Sequence, residues 1–512
     1  MENEKIKWFR NSSMSYREFV QAQKHKNPCL AGLSNFLFDT DSDRRPCRIL
    51  QLDFSSDAEG TQPDFEHVNP KELQDTVQDG KERRRILIIE DLRRDVIEVL
   101  GSAYAIDPVF FASHIHAPFR QMDSQTPNLA LLPSRQQGHN FVNFHYHRAV
   151  VLKSNVENEN RLIRDMNVER KIAVLLPVEM TRLALVQHAC SVILCQRKED
   201  GNGWLCVILV DGPISSDYLD VQYENENNKD HELRKRASRI TSRLFQDGYE
   251  DFIIPSFIDK KSACGEAQLS RTSLLDDLRY YWNRQIPQQF DPSKPTLFTL
   301  SVYPLKIIAA EWNSYMAGMS YHLKRHEYAL EAFDQRVAEL DKLDEELRSL
   351  QAWRRRSLAS EHKIASIKRF LALYNPQPEH HTGILALNHG ARLREDYVYL
   401  ADTLNDLSRR LQNMLPVVTS LVQISDSRRS LAESANVNRL TSLAIIFAPL
   451  SFTTGLFSMD TINGPGGTHF WVFFAVAIPI TIVVFFLARP PACILRWIST
   501  RGRRSQGASV NV

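Results

Sequence analysis

The sequence has little net charge and no grouped cysteines, and each shortage excludes a class of protein. Its 63 basic and 61 acidic residues leave a formal net charge of +2 over 512 residues, so the charge balance gives no support to a general nucleic-acid-binding protein. Its seven cysteines are scattered, with no Cys-x-x-Cys pair. This argues against a disulfide framework or a thiolate zinc site and is typical of a reduced, cytosolic domain.

Catalytic and targeting motifs are also lacking. No Walker loop, Gly-x-Gly-x-x-Gly or Gly-x-Ser-x-Gly motif occurs, so we expect a protein that is not an enzyme and needs no catalytic cofactor. The N-terminal stretch MENEKIKWFRNSSMSYREF lacks the apolar core of a secretory signal. The pairs His114 and His116, and His145 and His147, lack further ligands at suitable spacing, so ordinary strand and loop histidines are favoured over a metal site.

Two long uncharged runs near the C-terminus are the strongest features present. The run LTSLAIIFAPLSFTTGLF covers 440–457, and FWVFFAVAIPITIVVFFLA covers 470–488. At about 1.5 Å per residue each is close to the hydrocarbon thickness of a bilayer, so both are predicted as transmembrane helices rather than as a buried hairpin of a soluble core. Arginines flank the pair, and neither Lys nor Arg occurs in the loop 458–469, which predicts that both termini are cytoplasmic and the loop faces out.

The first run carries one face of small residues. Such a face permits close helix–helix packing, and it equally fits the wall of a pore, where small groups leave room for water and an ion. A helical hairpin is too thin to enclose a pore, so the second interpretation requires an oligomer, expected to be a ring. The residues of this face recur at spacings of three and four and are Ala444, Ala448, Ser451, Gly455 and Ser458.

The rest of the chain predicts an α/β domain followed by long helices. RILIIEDLRRDVIEVLG indicates a strand and then a helix with Gly101 at its end, and several apolar strand candidates follow. A final helix from about Glu395 enters the first run without a strong stop signal, and at this length it needs neighbouring helices to cover its apolar stripe. We predict a polar and partly disordered N-terminal extension (1–84), a cytoplasmic α/β domain (85–300) and a helical stalk (301–439). The first transmembrane helix (440–457), an outer loop (458–469), the second transmembrane helix (470–488) and a basic cytoplasmic tail (489–512) follow.

This organisation resembles the CorA-type magnesium transporters, and specifically their divergent fungal members. The local similarity is the Pro-Leu-Ser-Phe step at 449–452. The Gly-Met-Asn signature of the family falls on Ser458, Met459 and Asp460, and only the methionine is kept.

The resemblance implies a homopentamer in a lipid bilayer, expected to be the plasma membrane, that passes Mg²⁺ or a related divalent cation down its electrochemical gradient. First spans would line the pore, with Asp460 as the metal-binding residue at the outer mouth in place of the family's asparagine. The resemblance also implies regulatory Mg²⁺ between cytoplasmic domains, whose ligands the sequence does not place. The pore-facing residues implied by position are Val437, Leu440, Ala448, Ser451 and Asp460.

The two departures from the signature keep a second hypothesis open. Ser458 and Asp460 replace a glycine and an asparagine, and a ring of carboxylates binds cations differently from a ring of amides, because conduction requires binding weak enough to release the ion. The alternative to a channel is a non-conducting relative that serves as a membrane scaffold or an ion sensor.

Overall fold

The computed structural model describes fourteen stretches of the chain, and they belong to two compact units. The first unit comprises 1–335 and 345–416, and the second comprises 336–344 and 417–512. The described stretches are 14–39, 45–54, 65–78, 83–116, 139–153, 161–175, 182–196, 203–214, 218–221, 238–253, 271–332, 340–373, 389–458 and 471–488.

The described strands form two sheets in the first unit. In chain order the strands are β1 (Arg48–Asp53), β2 (Phe65–Val68), β3 (Arg84–Glu90), β4 (Phe141–Leu152), β5 (Arg161–Arg164), β6 (Ile172–Val174), β7 (Arg182–Gln196), β8 (Trp204–Val210), β9 (Tyr218–Val221), β10 (Ser238–Ile240) and β11 (Ser242–Leu244). The larger sheet has the order β11-β4-β7-β8-β3-β1-β2, with β6 also paired to β7, and the smaller sheet has the order β10-β9-β5. Strands β3 and β8 are parallel, whereas the other described pairs are antiparallel.

Helices cover the sheet and then dominate the second half of the chain. In chain order they are α1 (Tyr16–Lys24), α2 (Ala31–Phe38), α3 (Leu73–Gln78), α4 (Arg94–Tyr104), α5 (Pro108–Ile115), α6 (Leu274–Arg284), α7 (Leu297–Leu300), α8 (Val302–Ala332), α9 (Leu340–Leu373), α10 (His389–Phe457) and α11 (Trp471–Ala488), with 3₁₀ turns at Pro28–Leu30 and Phe245–Asp247. The predicted α/β region and the long helices are thus confirmed. Helix α10 has 69 residues and continues through Pro416.

The centre of the large sheet is buried on both faces. Every residue of β8, WLCVILV, is buried, as expected for a strand covered on both sides. Two buried ion pairs fasten the sheet to its surroundings: Arg148 of β4 binds Glu311 of α8 at 2.7 Å, and Arg170 binds Asp211 at 2.7 Å. Removing one partner of such a pair leaves an uncompensated buried charge, which costs about 3–5 kcal/mol.

The described parts of residues 1–84 differ from the predicted polar extension. Strand β1 pairs with β3 and extends the large sheet, and Tyr16, Phe19 and Val20 of α1 are buried in the same core as α4 and α5. A signal for α1 is present in the sequence, because Ser15 and Glu18 form a capping box. The prediction is therefore corrected over these stretches: few apolar residues suffice when a sheet edge and a helix layer already exist to receive them.

Gly101 does not end its helix as predicted. Helix α4 continues to Tyr104, and Ala105 takes the left-handed conformation at its C-terminus, with φ of 48°. Gly101 instead lies where the ring of Tyr16 crosses the helix, and a Cβ on this residue would sit 2.6 Å from ring atoms. The glycine is needed for the close approach of α1 to α4.

Gly101→Ala is therefore expected to destabilise the first unit by about 1–3 kcal/mol, because the ring of Tyr16 must shift out of a tightly packed position. The matched control is Gly32→Ala in α2, where an added Cβ meets nothing within 4 Å and helix propensity favours alanine by up to about 1 kcal/mol. Urea unfolding of the full chain, followed by tryptophan fluorescence, measures both. Equal urea midpoints for Gly101→Ala and Gly32→Ala would contradict the close contact between Gly101 and the ring of Tyr16.

The second unit contains the C-terminal part of α10 and the helix α11. Among the described residues, one helix has the length and apolar composition for crossing a membrane, and it lies within Gly390–Leu456. Trp471–Phe486 is a shorter apolar helix, so the second predicted span stays a prediction. All residues from Asp426 to Thr441 are exposed around the full circumference of α10.

Candidate functional site

The predicted pore-lining residues lie on one side of α10. At about 100° per residue they fall within roughly 80° of the helix circumference. All of them are exposed in the chain, including two large apolar side chains, Val437 at 61% and Leu440 at 66%. We call this side the small face; its members are Val437, Leu440, Ala444, Ala448, Ser451, Gly455 and Ser458.

The opposite side of α10 is covered by the chain itself. Pro449 and Thr453 are buried and lie roughly half a turn away from the small face. On the neighbouring apolar helix α11, Ala477 is buried as well. The buried positions of this span thus lie on the side opposite to the small face, which leaves the small face available to other copies of the chain or to an aqueous path.

Hydroxyl groups in this part of α10 mostly bond to their own helix. Thr441 donates to the carbonyl of Val437 at 2.8 Å, Thr453 to that of Pro449 at 3.0 Å, and Thr454 to that of Leu450 at 2.7 Å. Such bonds satisfy hydroxyls without external partners, as an apolar environment requires.

Ser451 differs from these residues. Its hydroxyl lies on the small face, is exposed and forms no hydrogen bond with another residue in the described part of the chain. A free hydroxyl oxygen and proton at this position can bind water or a hydrated ion.

The predicted outer mouth is described only up to its first residue. The backbone N–H of Ser458 donates to the carbonyl of Thr454 at 2.9 Å and continues the helical pattern. An added Cβ on Gly455, one turn earlier, would meet nothing within 4 Å. Met459 and Asp460 lie outside the described residues, so their place at a selectivity ring stays a prediction.

The same side of α10 continues toward the N-terminus with residues that sequence reasoning missed. Going back along the chain from Val437, the spacings of four, three and four lead to Glu433, Ser430 and Asp426. Both carboxylates are exposed. Glu433 binds Arg429, one turn away, at 3.2 Å. The spacing itself could have revealed them, but the sequence prediction followed only the uncharged run.

The first unit contains a cavity of about 190 Å³ whose lining charges are mostly paired. Arg48 binds Glu90, and Arg45 binds Asp165 at 3.2 Å. Asp91 accepts the backbone N–H of Asn167 at 3.0 Å.

Burial and then the charge of Asp211 raise the pKa of Asp91 to about 7. Among the described residues, no group of three or more His, Cys, Asp or Glu side chains could hold a metal ion. The cavity therefore offers no metal site within those residues, and the regulatory Mg²⁺ sites stay an expectation.

Comparison with known families gives a match in the helical part of the chain. Residues 304–489 match the family model described as "CorA-like Mg2+ transporter protein". This part of the chain is therefore similar to that family. The match takes in the helices from α8 to α11 and hence the whole small face, but not the sheets.

Two solved structures align over most of the chain with weak similarity. The complete structure of the CorA magnesium transporter from Methanocaldococcus jannaschii is 13% identical, with a TM-score of 0.34, and the alignment covers 86% of this chain and 98% of that one. The full-length CmaX protein is 12% identical, with a TM-score of 0.33, and the alignment covers 88% and 99%. Both TM-scores are below 0.5, so neither comparison assigns the fold. No curated protein matches the chain.

Proposed function

We propose that the chain is a divalent-cation channel of the CorA type, which passes Mg²⁺ down its electrochemical gradient through a homopentameric pore lined by the small face of α10. The observation that carries the proposal is the match of residues 304–489 to the CorA-like Mg²⁺ transporter family. The second span, the pentamer and the plasma-membrane location are parts of the same proposal.

The exposure of the small face supports a pore made by several copies. Glycine, alanine and serine side chains leave space along the axis of a ring, and the free hydroxyl of Ser451 offers a polar contact in an otherwise apolar wall. Val437 and Leu440 would form an apolar constriction, which can close a pore by excluding water.

The two exposed carboxylates further along the same side favour cations. In a ring of copies, Asp426 and Glu433 would repeat around the axis below the constriction, where a negative potential raises the local concentration of cations. Arg429 partly neutralises the charge of Glu433 through its ion pair. Asp426 is therefore expected to attract cations more strongly than Glu433.

Flux through reconstituted protein tests the proposal. The full chain is placed in liposomes that contain a fluorescent Mg²⁺ indicator. The inside of the liposomes is held at a negative potential, and the Mg²⁺ concentration is higher outside than inside. We expect Mg²⁺ entry well above that of empty liposomes and an assembly of five chains by light scattering. Confirmed pentamers without flux would refute conduction while leaving the assembly in place.

A second candidate is a non-conducting membrane scaffold or ion sensor, favoured by the altered signature at Ser458 and Asp460. Complementation of a strain deficient in magnesium uptake separates the two. Rescue by the native chain eliminates the second candidate. Rescue only by the double variant Ser458→Gly with Asp460→Asn supports it, because restoring the signature then restores transport.

A further inference from the structure

A group of nitrogen-bearing side chains lines one face of the large sheet. His145 and His147 are two residues apart on β4 and therefore face the same side. Gln187 of β7 pairs with His147, and its backbone N–H donates to the carbonyl of Lys171, just before β6, at 2.9 Å. Lys171, Gln187 and His147 thus occupy one row across three neighbouring strands.

Helix α9 supplies the opposite wall. The ring of His147 stacks on Tyr315 of α8, with ring centroids 5.6 Å apart, and Ser360 of α9 donates to the Tyr315 hydroxyl at 3.2 Å. Lys363 follows Ser360 by three residues and Arg356 precedes it by four, so both lie on the same side of α9 as that contact. The sheet and the helix therefore bring histidines, a lysine and an arginine together.

The central members of this group lack partners among the described residues. His145, His147 and Lys363 form no hydrogen bond or ion pair there, and the Nδ1 atoms of both histidines are buried without one. All three side chains are half-buried and not sealed from solvent. Leaving a buried polar atom unpaired is destabilising, so a ligand that completes these bonds is favoured.

The charged side chains that lower the pKa values of this group are cationic. Burial, then Arg170 and Lys363, hold the pKa of His145 well below its usual range. Burial, then Lys363 and Arg356, do the same for the pKa of His147. Burial and Arg170 lower the pKa of Lys363 to about 7. Such an environment repels a metal cation and attracts an anion.

We propose that His145, His147, Lys363 and Arg356 form a binding site for a small phosphate-bearing anion between β4 and α9. A phosphate group presents several acceptor oxygens, and it can receive hydrogen bonds from the imidazoles, the ammonium and the guanidinium at once. The site lies wholly within the first unit and uses no residue of the small face. It therefore stands or fails independently of conduction.

Isothermal titration of the full chain in detergent, without divalent cations, tests the site. Inorganic phosphate is the first probe, and ADP and ATP are the second, since free phosphate and a nucleotide share the same chemistry. We expect saturable binding by the native chain. The variant Lys363→Met is expected to bind at least about tenfold more weakly, because it loses a charge-assisted hydrogen bond, whereas Lys363→Arg retains binding.

Arg369→Met is the matched control, because it removes an exposed cation from the same helix and should bind like the native chain.

Tighter binding of ATP than of phosphate would identify a nucleotide as the source of the phosphate group, and equal binding would identify free phosphate. If Lys363→Met fails to fold, His147→Gln replaces it and should also weaken binding. Absence of saturable binding by the native chain to all three probes, or native-like binding by a folded Lys363→Met variant, would overturn the proposal.

Discussion

Replacing Asp460 by lysine is expected to abolish Mg²⁺ flux, whereas replacing it by asparagine should retain flux. In the proposed pentamer this position repeats five times near the axis, so the substitution exchanges five negative charges for five positive ones at the outer mouth. A reversal of potential on the order of 3 kcal/mol or more raises the barrier to a divalent cation and slows entry by about a hundredfold or more. Asparagine at this position would give a ring of amides in the proposed pentamer, which can bind a hydrated Mg²⁺ through its water shell.

The liposome assay with the Mg²⁺ indicator measures both variants, and light scattering checks that each remains a pentamer. Thr468→Lys is the matched control, because it adds a positive charge to the same predicted outer loop eight residues after Asp460, and it should reduce flux only modestly. Flux at the native level in Asp460→Lys pentamers would show that Asp460 does not border the conduction path.

The sequence predicted the elements whose apolar pattern is long or continuous. Strands β3, β4, β7 and β8 come from such runs, and α10 continues to Phe457, where the uncharged run stops. The short strands β1 and β2 escaped prediction, because their few apolar residues stand in a polar context and are fixed by pairing to neighbouring strands. Gly101 was misassigned for a related reason: its role depends on Tyr16, which lies 85 positions earlier in the chain.

The two candidate sites also differ in how far the sequence alone could predict them. The small face could be predicted because a single helix carries all of it, and spacing alone places its members together. The group formed by His145, His147 and Lys363 could not, because more than 200 residues separate the strand from the helix. The His-x-His spacing suggested only a weak metal site, and the cations that argue against a metal come from α9 and from the residues beside β6.

Gly455→Phe is expected to reduce flux by about tenfold or more without unfolding the protomer. An added side chain at this position meets open space in the single chain. Replacing glycine by phenylalanine also improves helix propensity by about 0.3–1 kcal/mol. The protomer alone therefore gives no reason for a defect. In the proposed pentamer five phenyl rings would converge on the axis near the outer mouth and obstruct a hydrated ion.

Leu456→Phe is the matched control, since Leu456 is the next residue, is 58% exposed and points about 100° away from the small face. Flux and unfolding midpoints are measured for both variants in the same liposomes. A loss of flux in Gly455→Phe alone, with unchanged stability, supports a pore wall. A loss of pentamers instead would mean that the small face packs against neighbouring helices, and equal flux in both variants would place the conduction path on another side of α10.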